Sequence, residues 1–206
     1  IIGALPFISF VLSTLVAPLA ADRLGARNLA ILSGSFGVGG LALISQSSDA
    51  LSLGMGVFIC GICTGLMMSA LTAAMQALVS RAMHGRVSSI MNAGTSIGII
   101  VAVPTVVFLS DAWRLTYTIF AALTAMGVVA AWYFIPSVSR VIPANAAPPP
   151  PITRSQWSRL IRLTIFAFAM GFVSAPYWLF APDLAVTLGA LSPGHTGWLW
   201  FAVGVA

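Results

Sequence analysis

The side chains able to do chemistry are few, and they sit at the edges of long apolar runs. Four aspartates (Asp22, Asp49, Asp111 and Asp183), nine arginines, two histidines and two cysteines are spread over 206 residues, with no lysine or glutamate. The densest group is Asp22-Arg23-Leu24-Gly25-Ala26-Arg27. A tight turn between helices needs a residue that tolerates positive φ, and Gly25 supplies it. Asp22 can face the positive N-terminal end of a helix, while Arg23 and Arg27 hold the turn on the cytoplasmic side. A plain polar turn set by topology alone is the simpler reading of the same residues.

Two polar stripes have helical spacing: Ser69, Thr72 and Gln76, then Ser88, Asn92 and Thr95 with Ser96. In a membrane helix such a stripe either bonds to a neighbouring helix or lines water. A cavity shared by the two helices is the expected arrangement, with Tyr177 and Trp178, near Ser174 and Pro176, across it. Ser69, Thr72, Gln76, Asn92, Thr95, Tyr177 and Trp178 are therefore the candidate substrate-pathway residues. Gln76 and Asn92 lead, because each amide brings two donors and two acceptor lone pairs. Neutral polar groups and aromatic faces suit a neutral or weakly polar organic solute.

Other chemistries find little support. Cys60 and Cys63 lie in an apolar run without a second pair, and read as small buried thiols. His84 falls in a turn. His195 follows Ser192-Pro193-Gly194, where Ser192 reads as an N-cap and Pro193 as a first helical residue. Ser33 and Ser35 are the only tempting nucleophiles, and no base or acid shares their depth. No catalytic residue, cofactor or metal is assigned.

These residues must be positioned by membrane helices. Hydrophobic residues make up 59% of the chain and charged ones 6%, against about 25% charged in soluble domains. Mean hydropathy is +1.03. That excludes a soluble globular domain and a disordered chain. The net charge of +5 is too small and dispersed for a nucleic-acid surface. Charge-free stretches run over 1–21, 28–48, 50–80, 87–110, 115–139, 163–182 and 184–206. A spanning helix needs roughly 20 apolar residues, which the first six supply. The last is apolar only from Gly197. Continuous rather than alternating runs mean helices, not a barrel. Counting the connections in order, odd ones hold Arg23, Arg27, Arg81, Arg86, Arg140, Arg154, Arg159 and Arg162, and even ones hold only Arg114. The bias places the odd connections in the cytoplasm. Trp113, Tyr117, Trp132, Tyr133, Trp157 and Trp178 fall near span ends, where indoles and phenols meet headgroups.

The loop from Pro136 to Ser158 contains Pro148-Pro149-Pro150-Pro151, a semi-rigid extended spacer. It divides an N-terminal bundle (1–139), a proline-rich cytoplasmic loop (140–158) and the start of a C-terminal bundle (159–206). The chain opens at Ile1-Ile2 and stops inside an apolar run, so it reads as an internal part of a longer protein whose first helix is missing. Gly61-x-x-x-Gly65 and Gly94-x-x-x-Gly98 are close-packing candidates, and Pro104 and Pro176 are candidate bends.

The turn Asp22-Arg23-x-Gly25-x-Arg27 resembles the loop that joins the second and third of twelve helices in the major facilitator superfamily. Pro18 and Ala26 depart from that pattern, and no acid near Val79 to Arg86 provides the family's partner for the loop arginine. His84-Gly85-Arg86, the glycines at 94 and 98 with Pro104, Trp113-Arg114 and the central proline-rich loop are also similar to the family, along the whole chain. The resemblance implies a multi-span, all-α membrane protein with a partial fold of this family, covering helices two to seven and part of eight. It implies a secondary active transporter that moves a small organic solute by alternating access, as a permease or an efflux protein. It further implies that Asp22, Arg23, Gly25 and Arg27 form a cytoplasmic gating loop stabilising the outward-open state.

No P-loop appears, which argues against an ATP-driven pump. The alternatives are an intramembrane enzyme and a membrane receptor or scaffold. The expected partners are a small-molecule substrate and the lipid bilayer, with no nucleic acid. The expected location is the bacterial inner membrane. All four acids lie at span boundaries, and a buried carboxylate is the usual proton carrier, so a coupling proton stays open.

Overall fold

In a computed structural model the described residues are 2–137, 153–189, 192 and 195–205. The helices are α1 (Leu5–Gln46), α2 (Ala50–Leu78), α3 (His84–Phe108), α4 (Trp113–Phe134), α5 (Arg154–Thr187) and α6 (Gly197–Val205). Five helical segments, among the described residues, are long and apolar enough to cross a membrane. The first is broken at Gly25, the one non-helical residue inside α1, and each part is about 20 residues long, one bilayer crossing. The chain divides into two compact units, Ile1–Arg140 with Phe201–Ala206, and Val141–Trp200.

In the first unit α1 folds back on itself. Leu5 near its start lies beside Gly54, and Ile44 near its end lies beside Gly56, so both ends of α1 meet the start of α2. Thr124 and Val128 of α4 meet Gly37 and Gly34, and Arg114 donates to the Ser47 carbonyl at 2.8 Å. The second half of α1 thus lies between α2 and α4. Ala17, Leu29, Ala30, Leu66 and Ala70 form the buried cluster. Three of those five are alanine, which lets the helices approach closely.

The closest approach is made at Gly61 and Gly65. Gly61 lies against Ser9 and Pro6, and a Cβ on Gly65 would stand 2.8 Å from the Phe10 carbonyl oxygen. The packing expected of this small-residue pair is present. Gly94 and Gly98 meet nothing within 4 Å, and α3 buries none of its residues. The second pair therefore makes no close contact among the described residues. The glycines mark a face on which a helix could seat, and spacing alone cannot supply the helix. α3 also continues through Pro104, and the chain's sharp break falls at Gly25.

Among the described residues, buried hydroxyls donate to backbone carbonyls. Ser9, Ser13, Ser45 and Ser47 each donate to the carbonyl three residues back, at 2.8 to 3.1 Å. Ser33 donates across helices to the Cys63 carbonyl at 2.7 Å. Hydrocarbon offers no other partner, so a hydroxyl left open there would be costly. Large apolar side chains such as Leu15, Phe108 and Phe134 face outward, as lipid-facing residues must.

Caps decide where helices begin. Asp49 accepts from the backbone N–H of Leu51 and Ser52, both at 2.8 Å, and opens α2. In the second unit Thr153 and Gln156 bond reciprocally, with Thr153 N–H donating to Gln156 Oε1 at 2.8 Å and Gln156 N–H to Thr153 Oγ1 at 3.3 Å. This capping box starts α5 at Arg154, earlier than the charge-free stretch beginning at Leu163. Residues 154–158 are thus helical, not loop. At the other end α6 begins at Gly197, later than an N-cap at Ser192 requires. Ser192 Oγ lies 2.6 Å from His195 Nδ1 instead, and Pro193 lies outside the described residues.

Two outcomes test this packing. Gly65→Ala should destabilise the protein by about 1–3 kcal/mol through overpacking, whereas Gly39→Ala, with open space around it, should change little. Thermal unfolding in detergent reads the difference. The backbone N–H and hydroxyl of Ser52, with the Leu51 N–H, hold the Asp49 carboxyl below its ordinary range. A lowered folded-state value means stabilisation that is complete above the unfolded pKa and fades as pH falls through the folded one. Asp49→Ala should therefore lower Tm at neutral pH and leave it nearer the wild-type value at about pH 3.

Candidate functional site

The site grows from the break in α1. Gly25 has φ 76° and ψ 164°, a backbone region open essentially to glycine alone. The positive φ expected at this residue is present. On either side the chain stays helical, so the connection between two membrane crossings is a single residue. Ala26 is 7% exposed and Leu29 and Ala30 are fully buried. The small side chain at position 26 is buried at the turn and lines the cavity beside it.

Arg27 is held from the side. Its guanidinium carbon lies 5.7 Å from the centroid of the Trp132 ring on α4, and its Nε is buried with no hydrogen-bond partner among the described residues. An arginine plane over an indole face is electrostatically favourable. Trp132 in turn lies 5.2 Å from Tyr133, ring to ring. Sequence reading missed this contact, because Trp132 matched the aromatic belt and no spacing rule joins it to residue 27. The family's carboxylate partner for the loop has no counterpart at Val79 to Arg86, and an aromatic face does the holding here.

Beside the turn runs a groove between the first half of α1 and the last turns of α2. One cavity of about 210 Å³ is lined by Asp22, Gly25 and Gln76 among others. An adjoining one of about 410 Å³ is lined by Pro18, Asp22, Ser69, Thr72 and Gln76. Three of the residues picked from helical spacing, Ser69, Thr72 and Gln76, thus share one groove, together with Asp22 of the turn. The Thr72 hydroxyl donates to the Met68 carbonyl at 2.8 Å, so it offers the groove only lone pairs. Gln76 is exposed and carries the amide donors.

Asn92 and Thr95 line neither cavity. They are exposed on α3, so the polar stripes of α2 and α3 are not joined in one cavity by the described residues. Helical spacing places each stripe on a face, but the face's partner depends on long-range packing. Tyr177 belongs to the other unit, where its ring meets Trp200 edge-on at 5.8 Å. The Trp178 side chain lies outside the described ones, though its backbone is part of α5.

The remaining candidates have structural roles. Ser33 is fully buried, and its proton goes to the Cys63 carbonyl at 2.7 Å. Ser35 donates to Ile31 at 2.9 Å. A hydroxyl committed to a carbonyl faces no base and is not activated as a nucleophile. Cys60 and Cys63 are free and half-buried, with their sulfurs packed toward Gly40 and Gly37. His84 Nε2 lies 2.9 Å from the Val79 carbonyl, stitching the turn between α2 and α3.

The Arg27–Trp132 contact can be measured with a double-mutant cycle of Arg27→Gln and Trp132→Leu. We expect a coupling of about 0.5–2 kcal/mol in unfolding experiments, most of it kept when Trp132 is replaced by Phe. Additive single effects would show that the ring does not hold the arginine.

One of the comparisons with known proteins finds a match. No curated protein and no solved structure matches the chain. A family model described as Major Facilitator Superfamily matches residues 1–206. The chain therefore belongs to the major facilitator superfamily of membrane transporters.

Proposed function

We propose that this chain is part of a secondary active transporter that moves a small organic solute by alternating access. The observation that carries the reading is the groove in which Ser69, Thr72 and Gln76 meet Asp22 at the break in α1. Polar groups cost least in a membrane where they face water or a solute. Hydroxyl and amide groups recognise a solute by hydrogen bonds. A neutral or weakly polar solute fits this lining. Asn92 and Thr95 supply a second polar face, and Tyr177 and Trp178 an aromatic one, in the same proposal.

Alternating access needs two bundles that rock about a central site. In this reading they are residues 1–139 and the bundle opened by 159–206, joined through the proline-rich segment 140–158. Asp22, Arg23, Gly25 and Arg27 act as the cytoplasmic gate. The proposed location is a bacterial inner membrane, with transport in either direction, uptake or efflux. The fully committed hydroxyl of Ser33 favours transport over an intramembrane hydrolase.

Solute flux by the full-length protein in proteoliposomes tests the reading. Gln76→Leu should raise KM about two- to tenfold, the loss of one hydrogen bond of about 0.5–1.5 kcal/mol, at unchanged protein abundance. Lowered abundance with unchanged kinetics would make Gln76 structural and remove the groove from the substrate path.

A further inference from the structure

The first turns of α5 carry charge that neither the fold nor the groove uses. α5 has 34 residues, about 51 Å of helix at about 1.5 Å per residue, while the hydrocarbon core is about 30 Å thick. The charge-free stretch from Leu163 to Pro182 suffices to cross it. Arg154 to Arg162 therefore project beyond the core, on the side that the arginine bias assigns to the cytoplasm. The capping box of Thr153 and Gln156 keeps this projection helical.

Helical geometry sorts the projection into two faces. Steps of about 100° put Arg154, Ser158, Arg159 and Arg162 within an arc of about 140°. Trp157 and Leu160 fall on the opposite side, and Ile161 borders the arc beside Arg154. All these side chains are exposed, and no acid occurs in the sequence between Asp111 and Asp183. Arg162 borders the core, and Arg159 lies about 4.5 Å farther out along the axis, the depth of lipid phosphates, since headgroup layers add roughly 5–7 Å per side. Two planar guanidiniums side by side at that depth match phosphate oxygens. Trp157 lies at headgroup level, where indole is favoured.

We propose that the Arg159–Arg162 face of α5 binds the headgroup phosphates of anionic phospholipids in the cytoplasmic leaflet, with Arg154 adding longer-range attraction. The site is independent of the transported solute. It goes beyond a topological role for these arginines, which would need no lipid bound in the folded protein.

The full-length protein is reconstituted in nanodiscs of phosphatidylcholine with a minority of phosphatidylglycerol, and lipid retained after detergent exchange is quantified by mass spectrometry. Wild type should retain phosphatidylglycerol several-fold above its input share, and added salt should lower that enrichment. Arg159→Gln with Arg162→Gln should cut it about fivefold or more. Arg159→Lys with Arg162→Lys should keep part of it, because lysine retains the charge but not the fork. Arg81→Gln, on another connection of the same side, should leave it unchanged. No enrichment in wild type at low salt overturns the proposal even if the glutamine variant fails to fold. So does an equal loss in Arg81→Gln, which would mean bulk charge, or full enrichment in the glutamine pair. An acidic protein segment as the true occupant would leave retained lipid at its input ratio.

Discussion

Inside a bilayer no water is available to a backbone carbonyl or a serine hydroxyl, and the first unit is arranged around that lack. Ser9, Ser13, Ser45 and Ser47 turn their protons back onto their own helices. Folded back this way, each serine occupies little more room than an alanine. α1 and α2 can then close to the distance at which Gly61 and Gly65 touch Ser9 and Ser13. Satisfying the polar groups and packing the helices are one solution here. Ser33 is the exception, spending its proton on the neighbouring helix and so fixing the register between the second half of α1 and α2.

The spans were legible because charge in hydrocarbon is expensive, which confines aspartate and arginine to the ends. The same rule misplaced the start of α5. Charge-free stretches mark the hydrocarbon, whereas a helix can run on into the headgroups with its arginines in water. The signal for the true start, Thr153 followed three residues later by Gln156, stood in the sequence as a capping pair. Gly25 was legible because a turn this tight leaves only glycine. The surroundings of the Gly94 and Gly98 face of α3 were not, since these glycines specify a face and nothing about what meets it.

The candidate site was half legible for a related reason. Ser69, Thr72 and Gln76 follow the helical repeat, so their common face could be read directly. Their meeting with Asp22 depends on the fold-back of α1, which brings the ends of two crossings together. Arg27 on Trp132 depends on α4 running beside the second half of α1. Contacts of this kind come from topology, and no local pattern announces them.

The single-residue connection at Gly25 has a mechanical consequence. A loop of several residues has slack and lets two neighbouring helices slide past each other by a helical turn, about 5.4 Å. One residue in a glycine-only conformation has almost none. The two crossings of α1 can tilt together but cannot shear lengthwise, so the hairpin behaves as a strut. Whatever displacement accompanies a working cycle must be taken up at longer connections, with α1 carried along as one piece.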